Sequence, residues 1–175
     1  KIKEDENFAH IDNDCQSCGM CVVECPAKAI EFKGLYEDMG KARLDEVFKE
    51  ARGTDPLIIN FYCGYNLDLA LSSEKLPENI KQINLLSLGK ISSKLILEAF
   101  EKGADGVLIT SCDDSCHFGD SCNAWAEQRT ETAMDFLSSI GIEKERIKCH
   151  MLSTNNEDGF LQTANQLIEE IRKLN

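Results

Sequence analysis

Long apolar runs, basic charge and the glycine motifs of nucleotide sites are what this sequence lacks. No stretch approaches the roughly 20 apolar residues that cross a bilayer, so no membrane association is expected. Residues 1–8 are charged and hold no apolar segment of the kind a signal peptide carries, which makes the cytoplasm the expected compartment. Lys and Arg number 19 against 31 Asp and Glu, for a net charge of −12. That balance argues against a nucleic-acid partner, because phosphate binding needs clustered cations. An acidic surface steers a protein toward a basic partner, and it serves equally well just to keep a protein in solution. Neither a Walker loop nor a Gly-x-Gly-x-x-Gly fingerprint is present, so a flavodoxin-like flavin site has weak support. Prolines number only three, and repeats and low-complexity segments are absent. What remains is a globular composition, 42% hydrophobic and 29% charged. It suits one good core, or a small module beside a domain of ordinary size.

Cysteine breaks this plain pattern. Nine is a high count and an odd one. A disulfide scaffold would explain the density but not the spacing. Cys15-x-x-Cys18-x-x-Cys21-x-x-x-Cys25-Pro26 is the bacterial ferredoxin run, in which closely spaced thiolates wrap an iron–sulfur cube. Gly19 lets the chain pass close to inorganic sulfide, where a Cβ would crowd it. Four cysteines within eleven residues, closed by proline, favour a 4Fe–4S cluster over zinc or a chance grouping. In two-cluster ferredoxins the fourth Cys of such a run serves the other cluster. With a single run here, Cys25 is expected to close its own cube or to point to a missing half. The opening on Lys1 rather than Met fits a processed or partial chain.

The rest of the chain divides near Gly53-Thr54-Asp55-Pro56. Residues 1–55 read as a half-ferredoxin-like iron–sulfur segment, with short strands at 9–11 and 29–32 and a helix over 36–52. Residues 56–175 alternate: strands at 57–62, 80–86, 106–110 and 147–152, helices at 66–74, 92–102, 123–140 and 160–174. Apolar strands alternating with helices predict an α/β fold, a small four-stranded doubly wound parallel sheet. Phe8, Tyr36, Phe48, Phe61, Phe100, Phe136 and Phe160 fall at core spacings.

Five further cysteines lie in the second region. Cys63 follows the first strand, Cys112 lies just beyond the third, and Cys116 and Cys122 sit on the loop after it. Ligands bind at the carboxyl ends of strands in open parallel sheets. Backbone N–H groups at the following helix start favour thiolates. Cys63, Cys112, Cys116 and Cys122 are therefore the candidates for a second metal site, a 2Fe–2S cluster or, with equal donor chemistry, zinc. Cys149 alternates with Ile147 and Met151 along a strand and reads first as a buried core residue. His117 reads first as a simple loop contact, and next as a hydrogen-bond donor to a cluster sulfur or a replacement for a thiolate. His150 should face away from Cys149.

Gly103-Ala-Asp-Gly106-Val-Leu-Ile, Cys112, Cys116-His117-Phe118, Asn123, Arg129 and Gly141-Ile142 together resemble the delta subunit of methyl-viologen-reducing hydrogenase, as does Leu97-Glu98-Ala99-Phe100-Glu101-Lys102 before them. The resemblance runs from about Leu57 to the end. The upstream run and its Tyr-led helix resemble the tail of the heterodisulfide reductase A subunit, and the two pieces occur fused in this order. Such a resemblance implies a 2Fe–2S cluster in the second region. It also implies electron relay from a hydrogenase or formate dehydrogenase toward a flavin-containing heterodisulfide reductase-type core, within a hetero-oligomeric complex.

The sequence departs from that pattern at several points. The family usually has Cys where Asn66 and Ser87 stand, and Cys112 and Cys116 are one residue closer than usual. Cys122 stands where the family tends to have Gly, and Cys149 is extra. A cluster rebuilt on a different ligand set is the expectation. The competing expectations are a structural adaptor whose α/β domain binds zinc or no metal, and a small flavin-dependent oxidoreductase.

Overall fold

Ile58–Cys63 is apolar on both faces except at Asn60, the composition of a strand covered from two sides. It forms β1, and every residue in it is buried. The computed structural model describes residues 10–15, 19, 21–22, 25–27, 29–30, 37–51, 53, 55–63, 76–112, 116, 121–152 and 158–175, without the side chains of 37–39, 152 and 158. Beside β1 lie β2 (Ile80–Leu85), β3 (Gly106–Cys112) and β4 (Ile147–Leu152). They make one four-stranded sheet in the order β2-β1-β3-β4, with every pair parallel. Helices α1 (Glu37–Glu50), α2 (Ser93–Glu101), α3 (Ser121–Ser139) and α4 (Asp158–Leu174) complete the described regular structure, with short 3-10 turns at Leu88–Lys90 and Lys144–Arg146.

Alternate residues of the strands build two cores. Ile59, Phe61, Ile83, Val107 and Ile109 pack with Leu44 of α1, Ile96 and Ala99 of α2, and Ala126 and Leu137 of α3. Ile58, Tyr62 and Leu108 pack with Phe160, Ala164, Leu167 and Ile171 of α4. Ser92 caps α2 by accepting the Leu95 N–H at 3.1 Å. Gly106 brings α4 close to β3. A Cβ there would lie 2.3 Å from Ile171 Cδ1 and 3.0 Å from the Arg146 carbonyl oxygen. Gly106→Ala is expected to cost about 1–3 kcal/mol, read as a lower urea midpoint. An unchanged midpoint would mean that α4 shifts freely on the sheet.

Order of connection places the site. The chain passes from β1 outward to β2, then returns past β1 to β3 and on to β4. Connections therefore diverge between β1 and β3, and the crevice outside the carboxyl ends of such neighbours is where doubly wound sheets take ligands. Cys63 is the last residue of β1 and Cys112 the last of β3.

Several expectations are corrected in detail. β3 extends two residues past Thr110, because Ser111 and Cys112 pair with Met151 and Leu152 of β4. α3 begins at Ser121, which puts Cys122 in its first turn rather than in the loop. Phe136 is 54% exposed, since Ala133 and Leu137 occupy the inward side of that helix. Cys149 is exposed, not buried, on the outer strand β4. His10, Ile11, Ala29 and Ile30 lie in no strand. The remainder of those two expected strands and the helix at 66–74 fall outside the described residues.

Candidate metal centre

Three elements bring four thiols to the switch point. The Cys63 Sγ–H donates to the Leu86 carbonyl at 3.6 Å, turning it toward the segment after β2. Asn123 Nδ2 donates to the Cys112 carbonyl at 2.7 Å and ties the end of β3 to the first turn of α3. Cys116 is half-buried and within hydrogen-bonding reach of both Cys112 and Cys122. Cys122, 1% exposed, accepts the Gly89 N–H at 3.1 Å and lies 3.4 Å from Ser87 Oγ. Gly89 is itself held, because Arg129 Nη1 donates to its carbonyl at 2.5 Å. Ser93 Oγ donates to the Arg129 carbonyl at 2.8 Å.

Burial raises the proton affinity of Cys112 and Cys122. Burial first, then the Cys116 hydrogen bond and the charges of Cys116, Cys63 and Cys122, push the Cys112 thiol up to about 12. Cys122 is also raised by burial, opposed by the Ser87 and Gly89 hydrogen bonds, which favour its thiolate. Metal binding must therefore displace protons. For Cys112 the folded value lies above the ordinary 9.0, so its contribution to stability is complete below pH 9 and lost as pH rises toward 12. Metal-free protein should show a urea midpoint that falls above pH 9, and Cys112→Ala should flatten the fall. An identical fall in the variant would remove Cys112 as its source.

Soft thiolate donors suit iron–sulfur clusters and zinc alike. Among the described residues, no three His, Cys, Asp or Glu side chains stand where they would hold one metal ion. Zinc requires its ligands to close around a single point, whereas a two-iron cluster spreads its thiolates over two metals. Four thiol donors suit either group by their chemistry.

In the first run, Cys15 and Cys21 are exposed and Cys25 is half-buried, while Cys18 falls outside the described residues. The Ala29 N–H donates to Cys25 Sγ at 3.3 Å. Gly19 takes φ +68°, the left-handed region that suits glycine. Its open side faces Lys90. α1 itself is tied to the sheet domain: Arg43 donates to the Asn84 carbonyl, and Asp45 pairs with Lys102.

The other sequence candidates lie elsewhere. His150 sits on the α4 side of β4, with its Nδ1 2.9 Å from Thr163 Oγ1 and its ring edge-on to Phe160, and burial lowers its pKa. Cys149 neighbours Thr130, Glu127 and Glu131 of α3 rather than the four thiols. His117, Asp113, Asp114 and Asp120 are outside the described residues. Ser87 and Gly89 are the contacts that the sequence pattern did not assign to Cys122.

A parallel sheet with thiols at its switch point defines the class of this domain. The chain belongs to the family described as methyl-viologen-reducing hydrogenase, delta subunit, whose sequence model matches residues 58–175. The F420-non-reducing hydrogenase vhc iron-sulfur D subunit of Methanococcus voltae is 30% identical over 130 residues, 71% of this chain and 90% of that protein. The corresponding vhu D subunit of Methanocaldococcus jannaschii is 32% identical over 125 residues, 69% of this chain and 93% of that protein. The ferredoxin/F(420)H(2)-dependent CoB-CoM heterodisulfide reductase A subunit of Methanosarcina acetivorans is 27% identical over 209 residues, 99% of this chain but 26% of that protein. The match to this reductase protein thus includes the first cysteine run. Among the described residues, no helix is long and apolar enough to cross a membrane.

Proposed function

We propose that this chain is an iron–sulfur electron-transfer subunit of a hydrogenase- or heterodisulfide reductase-type complex. Residues 1–55 would hold a 4Fe–4S cluster on Cys15, Cys18, Cys21 and Cys25, and residues 56–175 a 2Fe–2S cluster on Cys63, Cys112, Cys116 and Cys122. Convergence of the last four thiols between β1 and β3 is the observation that carries this reading. Relatives named as hydrogenase iron-sulfur subunits and as a heterodisulfide reductase component support it. The electron would come from a hydrogenase or formate dehydrogenase and leave toward a flavin-containing core.

Bound clusters would supply one-electron acceptors. The protein supplies the rest. Burial of Cys63, Cys112 and Cys122 keeps water from the thiols. The Gly89 N–H and Ser87 hydroxyl stabilise negative charge on Cys122, and Arg129 fixes Gly89 in place. An exterior of net charge −12 favours docking on basic partner surfaces. No substrate chemistry is assigned to the chain itself.

Anaerobic reductive titration tests this proposal. Two electrons taken up per chain at separate potentials are expected. Uptake of one or none would reject the two-centre relay.

A further inference from the structure

We propose that Lys90 is a positioning residue: it seats the first cysteine run on the second thiol site and raises the reduction potential of the group that the run holds. The inference rests on the two-centre reading above and goes beyond it by naming the side chain that joins the centres. Lys90 closes the 3-10 turn Leu88–Lys90. One residue before it, the Gly89 N–H meets Cys122 Sγ at 3.1 Å. In the other direction the Lys90 side chain fills the place of a Cβ at Gly19, inside the first run. A Cβ there would lie 2.5 Å from Lys90 Cε and 2.6 Å from Nζ. A single turn thus touches both cysteine sites, by its backbone on one side and by a cation on the other.

The chemistry of each partner is matched. Gly19 both adopts φ +68° and leaves the space that the lysine stem takes, so no other residue serves as well. Lys90 Nζ is enclosed by protein. An enclosed ammonium is stable beside negative charge or carbonyl oxygens, and a thiolate-ligated loop carries negative charge. The same cation favours an added electron on that loop, because reduction increases the negative charge there. Its Nζ lies against Gly19, inside the first run, so its charge acts first on that run.

Lys90→Met keeps most of the stem and removes the charge, and Lys90→Arg keeps the charge. Hydrogen exchange and potentiometry are measured on the full chain, with and without its clusters. The Val22 N–H donates to the Gly19 carbonyl at 3.1 Å and reports on the seat. Lys90→Met should speed Val22 exchange in metal-free and loaded protein. It should also lower the midpoint of the first centre by up to a tenfold change in the reduced-to-oxidised ratio, about 59 mV for one electron. The second centre should move less, and Lys90→Arg should restore the first. Faster exchange with an unmoved midpoint would overturn the inference, leaving Lys90 a packing residue. Unchanged exchange would overturn the seat itself. Absence of iron at the first run in the wild-type chain would instead reject the proposed function, while the metal-free exchange result would still judge the seat.

Discussion

Cys122→Ser is expected to lose the second centre, and adding Ser87→Cys to that variant is expected to recover it. The expectation comes from one distance across 35 residues of sequence: Ser87 Oγ and Cys122 Sγ are 3.4 Å apart and buried. A sulfur at Ser87 would stand beside the place that Cys122 Sγ takes, so the fourth thiolate can be supplied from the segment after β2 or from the first turn of α3. Cys122→Ser should lower iron by about two atoms per chain, the content of a 2Fe–2S centre. The double variant should regain most of that loss, with an altered reduced signal because the Gly89 N–H no longer faces the same sulfur. Cys149→Ala should change neither iron nor signal, since Cys149 stands on the outer strand beside Thr130, Glu127 and Glu131. Loss of iron in Cys149→Ala with retention in Cys122→Ser would reverse the ligand assignment.

The second large effect falls on the first run. Cys21→Ala should remove about four irons per chain and leave the second reduced signal in place. Cys21 is exposed and belongs to neither core, so the sheet domain should unfold at nearly the same urea concentration, within about 0.5 kcal/mol. Simultaneous loss of both signals would show that the two sites form only together. Retention of a normal first signal would remove Cys21 from the ligand set.

Much of the sheet domain was legible because its pattern is local. The first strand, expected at 57–62 and formed by Ile58–Cys63, the helix starting after Ser92 and the strand from Ile147 form within a residue of where hydrophobic period and capping place them. So was the delivery of Cys63 and Cys112 to one edge, because parallel strands alternating with helices put all carboxyl ends together. The pairing of Ser87 with Cys122 was not legible. It depends on how the turn Leu88–Lys90 packs against α3, a tertiary contact that leaves no period in the sequence. Cys149 misled for a related reason: its spacing says which face it takes, and only the strand order says that β4 is outermost. Phe136 misled because an aromatic residue about 100° from the inward stripe of a helix looks like core until the neighbouring helices are in place.

Iron, zinc and acid-labile sulfide on anaerobically purified protein, with EPR of the reduced sample, test the central claim most directly. The two-centre relay predicts about six irons per chain, matching sulfide, no zinc and two distinct reduced signals. About four irons with a single signal, with or without one zinc, would contradict it. The sheet domain would then be a docking adaptor that conducts nothing.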